Sequence, residues 1–90
     1  MKFIVTWSIP KSSAVAAESR FLQTGAPPPA DVKMIGRWHG IGGRGVIIAE
    51  TENAKHLFSW LAGWNDLLEF EATPCLEDAE AGEVLSAVKR

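Results

Sequence analysis

The chain is predicted to adopt an α+β fold of βαββαβ order followed by a C-terminal helix, and three observations predict it. Four segments are β-branched, aromatic or strictly alternating in the manner of strands. Stripes of apolar residues at i, i+3, i+4 and i+7 lie between the first and second and between the third and fourth of these segments. Glycine, proline and asparagine punctuate the junctions.

Lys2–Ser8 (KFIVTWS) reads as strand one, with Phe3, Val5 and Trp7 on one face and Ile4 and Thr6 on the other. Pro10 ends it, and Ser12 or Ser13 can cap a helix running to about Gln23. Ala14, Ala17 and Phe21, with Val15 and Leu22, are expected to form that helix's sheet-facing stripe. Gly25 is placed to stop it in a left-handed conformation, and Ala26-Pro27-Pro28-Pro29-Ala30 should continue as a stiff polyproline II connector.

Asp31–His39 reads as strand two and Gly45–Thr51 as strand three, with residues 40–45 as the hairpin loop. Thr51 or Asn53 caps a second helix reaching to about Trp64, its buried stripe being Ala54, Leu57, Phe58 and Leu61. Leu68–Thr73 alternates, with Leu68, Phe70 and Ala72 inward, and Pro74 is expected to stop it. Glu77–Arg90 reads as a third helix with acids at its start, Lys89-Arg90 at its end and an apolar stripe of Ala81, Val84, Leu85 and Val88. Gly82 weakens it by about 1 kcal/mol relative to alanine, so it needs a docking surface.

This order is ferredoxin-like: a four-stranded antiparallel sheet, two helices on one face and the extra helix at the end. Right-handed crossovers are expected to set strands one and three side by side in the centre, parallel to each other. The other sheet face carries Ile4 and further apolar side chains with no chain left to cover it. A second copy of the chain, sheet against sheet, is the economical cover, giving a homodimeric α/β barrel.

Composition is consistent with this. Ninety residues amount to one domain, 1–90, and a 47% hydrophobic content suits a packed core. Cys75 is the only cysteine, so an intrachain disulfide is excluded and a partner subunit is the natural source of added stability. The net charge of −2 offers no basic footprint for nucleic acid. Charge is unevenly spread: residues 1–55 hold seven basic and four acidic groups, residues 56–90 two and seven. Met1–Ile9 with Ala14-Val15-Ala16 superficially resembles a signal peptide, but Thr6, Ser8, Pro10 and Lys11 interrupt its apolar run. No apolar stretch approaches the ~20 residues of a membrane span, and a cytoplasmic location is expected.

The motifs are sparse. Residues 40–45 match G-x-G-x-x-G, yet the strand-like Val46-Ile47-Ile48-Ala49 follows where a dinucleotide site needs a helix. His39, His56 and Cys75 have no metal-ligand spacing, so neither a metal nor a cofactor is expected. His56 reads as facing solvent and Cys75 as a structural thiol. The four tryptophans, Trp7, Trp38, Trp60 and Trp64, exceed what a small core usually needs. They pack the core and dimer, or they line a ligand pocket between sheet and helices. Arg37 and His39 share a face of strand two opposite Trp38, and Glu50 closes strand three. These polar groups form salt bridges, or they anchor an anion or move a proton.

The start MKFIVTW, the stretch RFLQTGAPPP, the segment GRWHG, Glu50-Thr51 and above all WLAGWNDLLEFEATPCLEDAEA resemble the DUF3303 family of small bacterial proteins of unassigned function. The most specific part is W-x-x-x-W-x-D-L-L-x-F-E, which here begins at Trp60 and includes Trp64, Asp66, Phe70 and Glu71. The resemblance implies a ferredoxin-like fold and a dimeric barrel, and no catalytic residue. Trp38, Glu50, Trp60, Trp64 and Asp66 match its recurrent polar and aromatic positions. The wider barrel superfamily that it implies includes cofactor-independent monooxygenases, isomerases and ligand-sensing domains. Three functions follow as expectations. The first is a homodimer binding a small aromatic or apolar molecule in a cleft of Trp38, Trp60 and Trp64, with Glu50, His39 or Arg37 as anchors. The second is a cofactor-free monooxygenase or isomerase using His39 or Glu50, and the third a structural dimer.

Overall fold

A computed structural model describes residues 1–88 of the chain. The elements are β1 (Lys2–Ser8), α1 (Ala14–Thr24), β2 (Lys33–Gly40), β3 (Arg44–Glu50), α2 (Ala54–Ala62), β4 (Glu69–Cys75) and α3 (Asp78–Ala87), with a 3₁₀ turn at Lys11–Ser13 before α1. The strands form one sheet in the order β2-β3-β1-β4, and every neighbouring pair is antiparallel. The fold is therefore α+β and ferredoxin-like. β1 and β3 are the central pair, as expected, but not parallel. The crossover through α1 returns the chain in the direction of β1, and the β2–β3 hairpin then reverses it, so β3 runs against β1.

The alternation in β1 sets the two faces. Phe3, Val5 and Trp7 are buried on the helix side with Ile47 and Ala49 of β3. Leu57 and Trp60 of α2 and Val32 of the connector complete this core, and Ala17 of α1 is buried beside it. Each of the larger aliphatic and phenylalanine side chains among them contributes about 1.5–3 kcal/mol on leaving water. The opposite face bears Ile4, Thr6, Val46, Ile48 and Trp38, and no element of the described chain lies over it.

Two helical stripes are rotated from their expected positions. On α1, Ala17 and Phe21 face the sheet, whereas Val15 and Leu22 are about four-fifths exposed. On α2, Leu57 and Trp60 are buried and Leu61 half-buried, while Phe58 and Ala54 face outward. Steps of 100° per residue put Leu57, Trp60, Leu61 and Trp64 on one line, and the bulk of Trp60 takes the inner place. α2 ends two residues before Trp64, which follows in a turn closed by N–H donation from Trp64 to the Leu61 carbonyl.

The boundaries obey local chemistry. Asn53 caps α2 by accepting from the Lys55 N–H at 2.9 Å. Ser13 sits at the N-cap of α1 without a side-chain bond. Gly25 ends α1 at φ 72°, donating to the Phe21 carbonyl at 2.7 Å. Ala26 follows at φ 43°, a left-handed position that costs a non-glycine residue about 1 kcal/mol or more. β4 does not stop at Pro74 but runs through it to Cys75. Proline is tolerated there because β4 is an edge strand, bonded to β1 alone.

Gly45 has a packing role. It lies opposite Trp7, and a Cβ at this position would meet the indole at 2.0 Å. The ring therefore lies flat on the backbone of β3. Gly36 does the same for Trp38 on the other face.

α3 stands apart. Val84, Leu85 and Val88 are each about half exposed, and within α3 every residue but the half-buried Ala81 is exposed. Its start is tied by one ion pair, Lys2 Nζ to Glu77 Oε2 at 2.6 Å. The chain measures 49 × 28 × 18 Å with a radius of gyration of 15.2 Å, against about 12 Å for a compact chain of this length. α3 stops at Ala87, short of the expected Arg90, because Val88 is already extended at ψ 122°; Lys89 and Arg90 lie outside the described residues.

Gly45→Ala is expected to destabilise the fold by about 1–3 kcal/mol in urea unfolding, because the indole of Trp7 must leave its seat. Gly82→Ala, where nothing lies within 4 Å, serves as the control and should be neutral or mildly stabilising.

Candidate functional site

Between the sheet and the two packed helices lies an open-mouthed cavity of about 120 Å³. Its floor is Trp7 and Ile47 with Phe70 of β4. Ala17 and Phe21 of α1 form one wall, and Trp60, Leu61 and Trp64 form the other. The lining is overwhelmingly apolar. Its polar groups are Arg37 and His39 of β2 and Glu18 at the exposed surface of α1. A cavity of about 150 Å³ holds a benzene ring, so this one is of single-ring size. Any larger ligand would extend through the mouth.

The rings are arranged edge to face. His39 meets Trp7 at 5.3 Å between centroids with a 69° interplanar angle, and Phe21 at 5.0 Å with 55°. Arg37 lies with its Cζ 5.1 Å from the Phe21 centroid. Its Nη1 donates to the Ala26 carbonyl at 2.8 Å and its Nη2 to the Gly25 carbonyl at 3.0 Å. The guanidinium thus clamps the left-handed turn that ends α1, where the helix dipole is negative. Burial draws its pKa below the usual arginine value.

Arg20 of α1 makes a two-pronged pair with Asp66, Nη1 to Oδ1 at 3.0 Å and Nη2 to Oδ2 at 2.8 Å. It also donates to the Gly63 carbonyl at 3.2 Å and stacks its Cζ 5.2 Å from the Trp64 ring centroid. Arg20 therefore fastens the α2–β4 turn to α1 and holds Trp64 in the cavity wall. Hydrogen bonding from Arg20 keeps the Asp66 carboxyl below the ordinary carboxylate range.

The structure brings together Arg37, His39, Trp60 and Trp64 of the expected site residues and separates the other three. Trp38 lies on the uncovered face, 58% exposed and folded over Gly36. Period two along β2 puts it opposite its neighbours Arg37 and His39, so it cannot share a cleft with Trp60. Glu50 also lies on the uncovered side, across from Lys2 and Lys33, because its neighbour Ala49 points into the core. Asp66 is outside the cavity, engaged by Arg20. His56 is half-buried rather than facing solvent, with Nδ1 3.5 Å from Asp31 Oδ2.

Sequence reasoning missed Phe21 and Phe70 as cavity residues and Arg20 as the holder of Trp64, while Trp7, one of the four tryptophans offered as core packing or pocket lining, lines the cavity floor. Phe21 and Phe70 were legible as inward-facing positions. The space left among them was not, since it depends on how far the helices stand off the sheet. The expected loop at 40–45 is tighter than read. Only 41–43 leave the ladder, and the Gly43 carbonyl accepts from the Ile9 N–H at 2.7 Å, pinning the hairpin to the exit of β1.

A family model described as "Domain of unknown function (DUF3303)" matches residues 1–89. No curated protein and no solved structure matches the chain.

Asp66→Asn is expected to lower the melting temperature at pH 7 and to shift tryptophan emission as Trp64 loosens. The depressed folded-state pKa of Asp66 means that its contribution is complete above the unfolded value of about 3.9 and is lost as pH falls through the folded one. Thermal melts taken from pH 5 to 2 should therefore fall less steeply in Asp66→Asn than in the wild type.

Proposed function

We propose that this chain, which belongs to the DUF3303 family, is a homodimeric binding protein for a small aromatic or apolar molecule held between sheet and helices. The observation that carries the reading is the apolar cavity walled by Trp7, Phe21, Trp60, Trp64 and Phe70. A monomer this small does not leave such rings around a void by packing economy alone, since interiors close to high density. The enzyme alternative, a cofactor-free monooxygenase or isomerase, keeps His39 as its proton carrier and loses Glu50, which faces away from the cavity.

The dimer is supported by area. The chain exposes 6511 Å², whereas a compact monomer of its mass exposes about 5,200 Å². The excess is larger than the ~800 Å² that each partner commits to a standard interface. Ile4 and Trp38 on the open face and Val84 and Leu85 of α3 belong to the exposed apolar surface, as do Val15, Leu22 and Phe58 on the outer faces of α1 and α2 and Ile41 at the hairpin tip. A second copy placed sheet to sheet covers that face and gives α3 a neighbour.

Sedimentation at micromolar concentration should show a species of twice 9.8 kDa. Ile48→Lys, in the middle of the open face, should reduce it to monomer, and a wild-type monomer would overturn the dimer. For the cavity, titration with one- and two-ring aromatics should quench tryptophan emission saturably. Ala17→Leu, which fills the wall, should abolish the effect while leaving the circular dichroism spectrum intact. No saturable change across the panel would leave the structural dimer.

A further inference from the structure

We infer that the cavity is built for a single aromatic ring bearing an anionic group, a carboxylate being the simplest, with the ring among Trp7, Phe21 and Trp60 and the anion on Arg37. This rests on the reading of the cavity as a ligand site and names the ligand's chemistry.

Arg37 is the reason. It lines the cavity, and among the described residues no carboxylate lies within ion-pair distance of it. The contrast with Arg20 is direct, since that arginine, on α1, is paired with Asp66 by two hydrogen bonds. Arg37 spends two N–H groups on the Gly25 and Ala26 carbonyls, and a guanidinium has five. Those two bonds fix its plane against Phe21, so the remaining donors are held in place before any ligand arrives. A partly buried cation without a counter-ion is an unfavourable arrangement that an incoming anion relieves, and a planar carboxylate matches the donor fork. His39, adjacent on the same strand face and packed against Phe21, adds a further nitrogen donor at the same end.

Glu18 is the competing charge. It lies at the exposed rim on α1, where water screens it, and would favour a cation instead. The ligand's charge therefore separates the two residues experimentally.

Phenylacetate, phenylacetamide and 2-phenylethylamine share one ring and differ in charge. Each is titrated into the full-length protein at low salt, and the indole N–H resonances of the four tryptophans are followed by NMR. Phenylacetate should shift the indoles of Trp60 and Trp64 and leave Trp38, on the far face, unmoved. It should bind about tenfold or more tightly than the amide, as a charged hydrogen bond implies. Arg37→Gln should remove that preference and Arg37→Lys should keep part of it, both checked for unchanged circular dichroism. Because the turn at Gly25 leans on Arg37, the comparison of acid with amide in the wild type decides the matter even if both variants unfold. Equal binding of acid and amide would overturn the anion assignment and leave the cavity reading standing. Tightest binding of the amine would overturn it in favour of Glu18. Failure of all three to move Trp60 or Trp64 would overturn both.

Discussion

Everything in this molecule follows from having helices enough for one side of a four-stranded sheet. β1 states the constraint most plainly: Phe3, Val5 and Trp7 are buried, while Ile4 and Thr6 between them are exposed. A sheet of alternating residues makes two surfaces, and among the described residues two helices pack on one of them. The core, the cavity and the strand register belong to the covered side. The uncovered side and the projecting α3 have no covering element among the described residues.

Within the covered side, the cavity is a consequence of large rings meeting small residues. Trp7 fits only because Gly45 stands beneath it, and its neighbour His39 turns edge-on to Trp7 and tilts against Phe21. Ala17 keeps the α1 wall shallow where a longer side chain would fill the space. Two arginines then brace the perimeter in opposite ways. Arg20 is neutralised by Asp66 and acts as a fastening, whereas Arg37 is held by carbonyls and keeps its charge unmatched.

Much of this was legible in the residues. The element order, the faces of β1, the left-handed stop at Gly25 and the cap at Asn53 each follow from a local rule that needs no knowledge of the rest of the chain. The separation of Trp38 from Arg37 and His39 was equally legible from strand alternation, yet the same reading grouped Trp38 with Trp60 in one cleft. Alternation along β2 rules that cleft out, because Trp60 belongs to the helix side. What could not be read was anything depending on distance between elements. The Arg20–Asp66 pair spans 46 positions, and the choice of Trp60 over Phe58 as the inward residue of α2 is a matter of which bulk the β-sheet accepts. The direction of β3 relative to β1 depends on the number of reversals between them, and the β2–β3 hairpin adds the one that makes the pair antiparallel.

The isolated position of α3 has a thermodynamic meaning. A ten-residue helix is too short to persist in water on its own, and one salt bridge to Lys2 adds little. In the proposed homodimer its order would be borrowed from the partner, and helicity in this segment would report subunit concentration. On dilution of that proposed dimer α3 would melt first and be clipped by a protease, while the sheet and its cavity stayed folded. In a cell, that coupling would let the abundance of the protein itself govern how long its C-terminal segment survives.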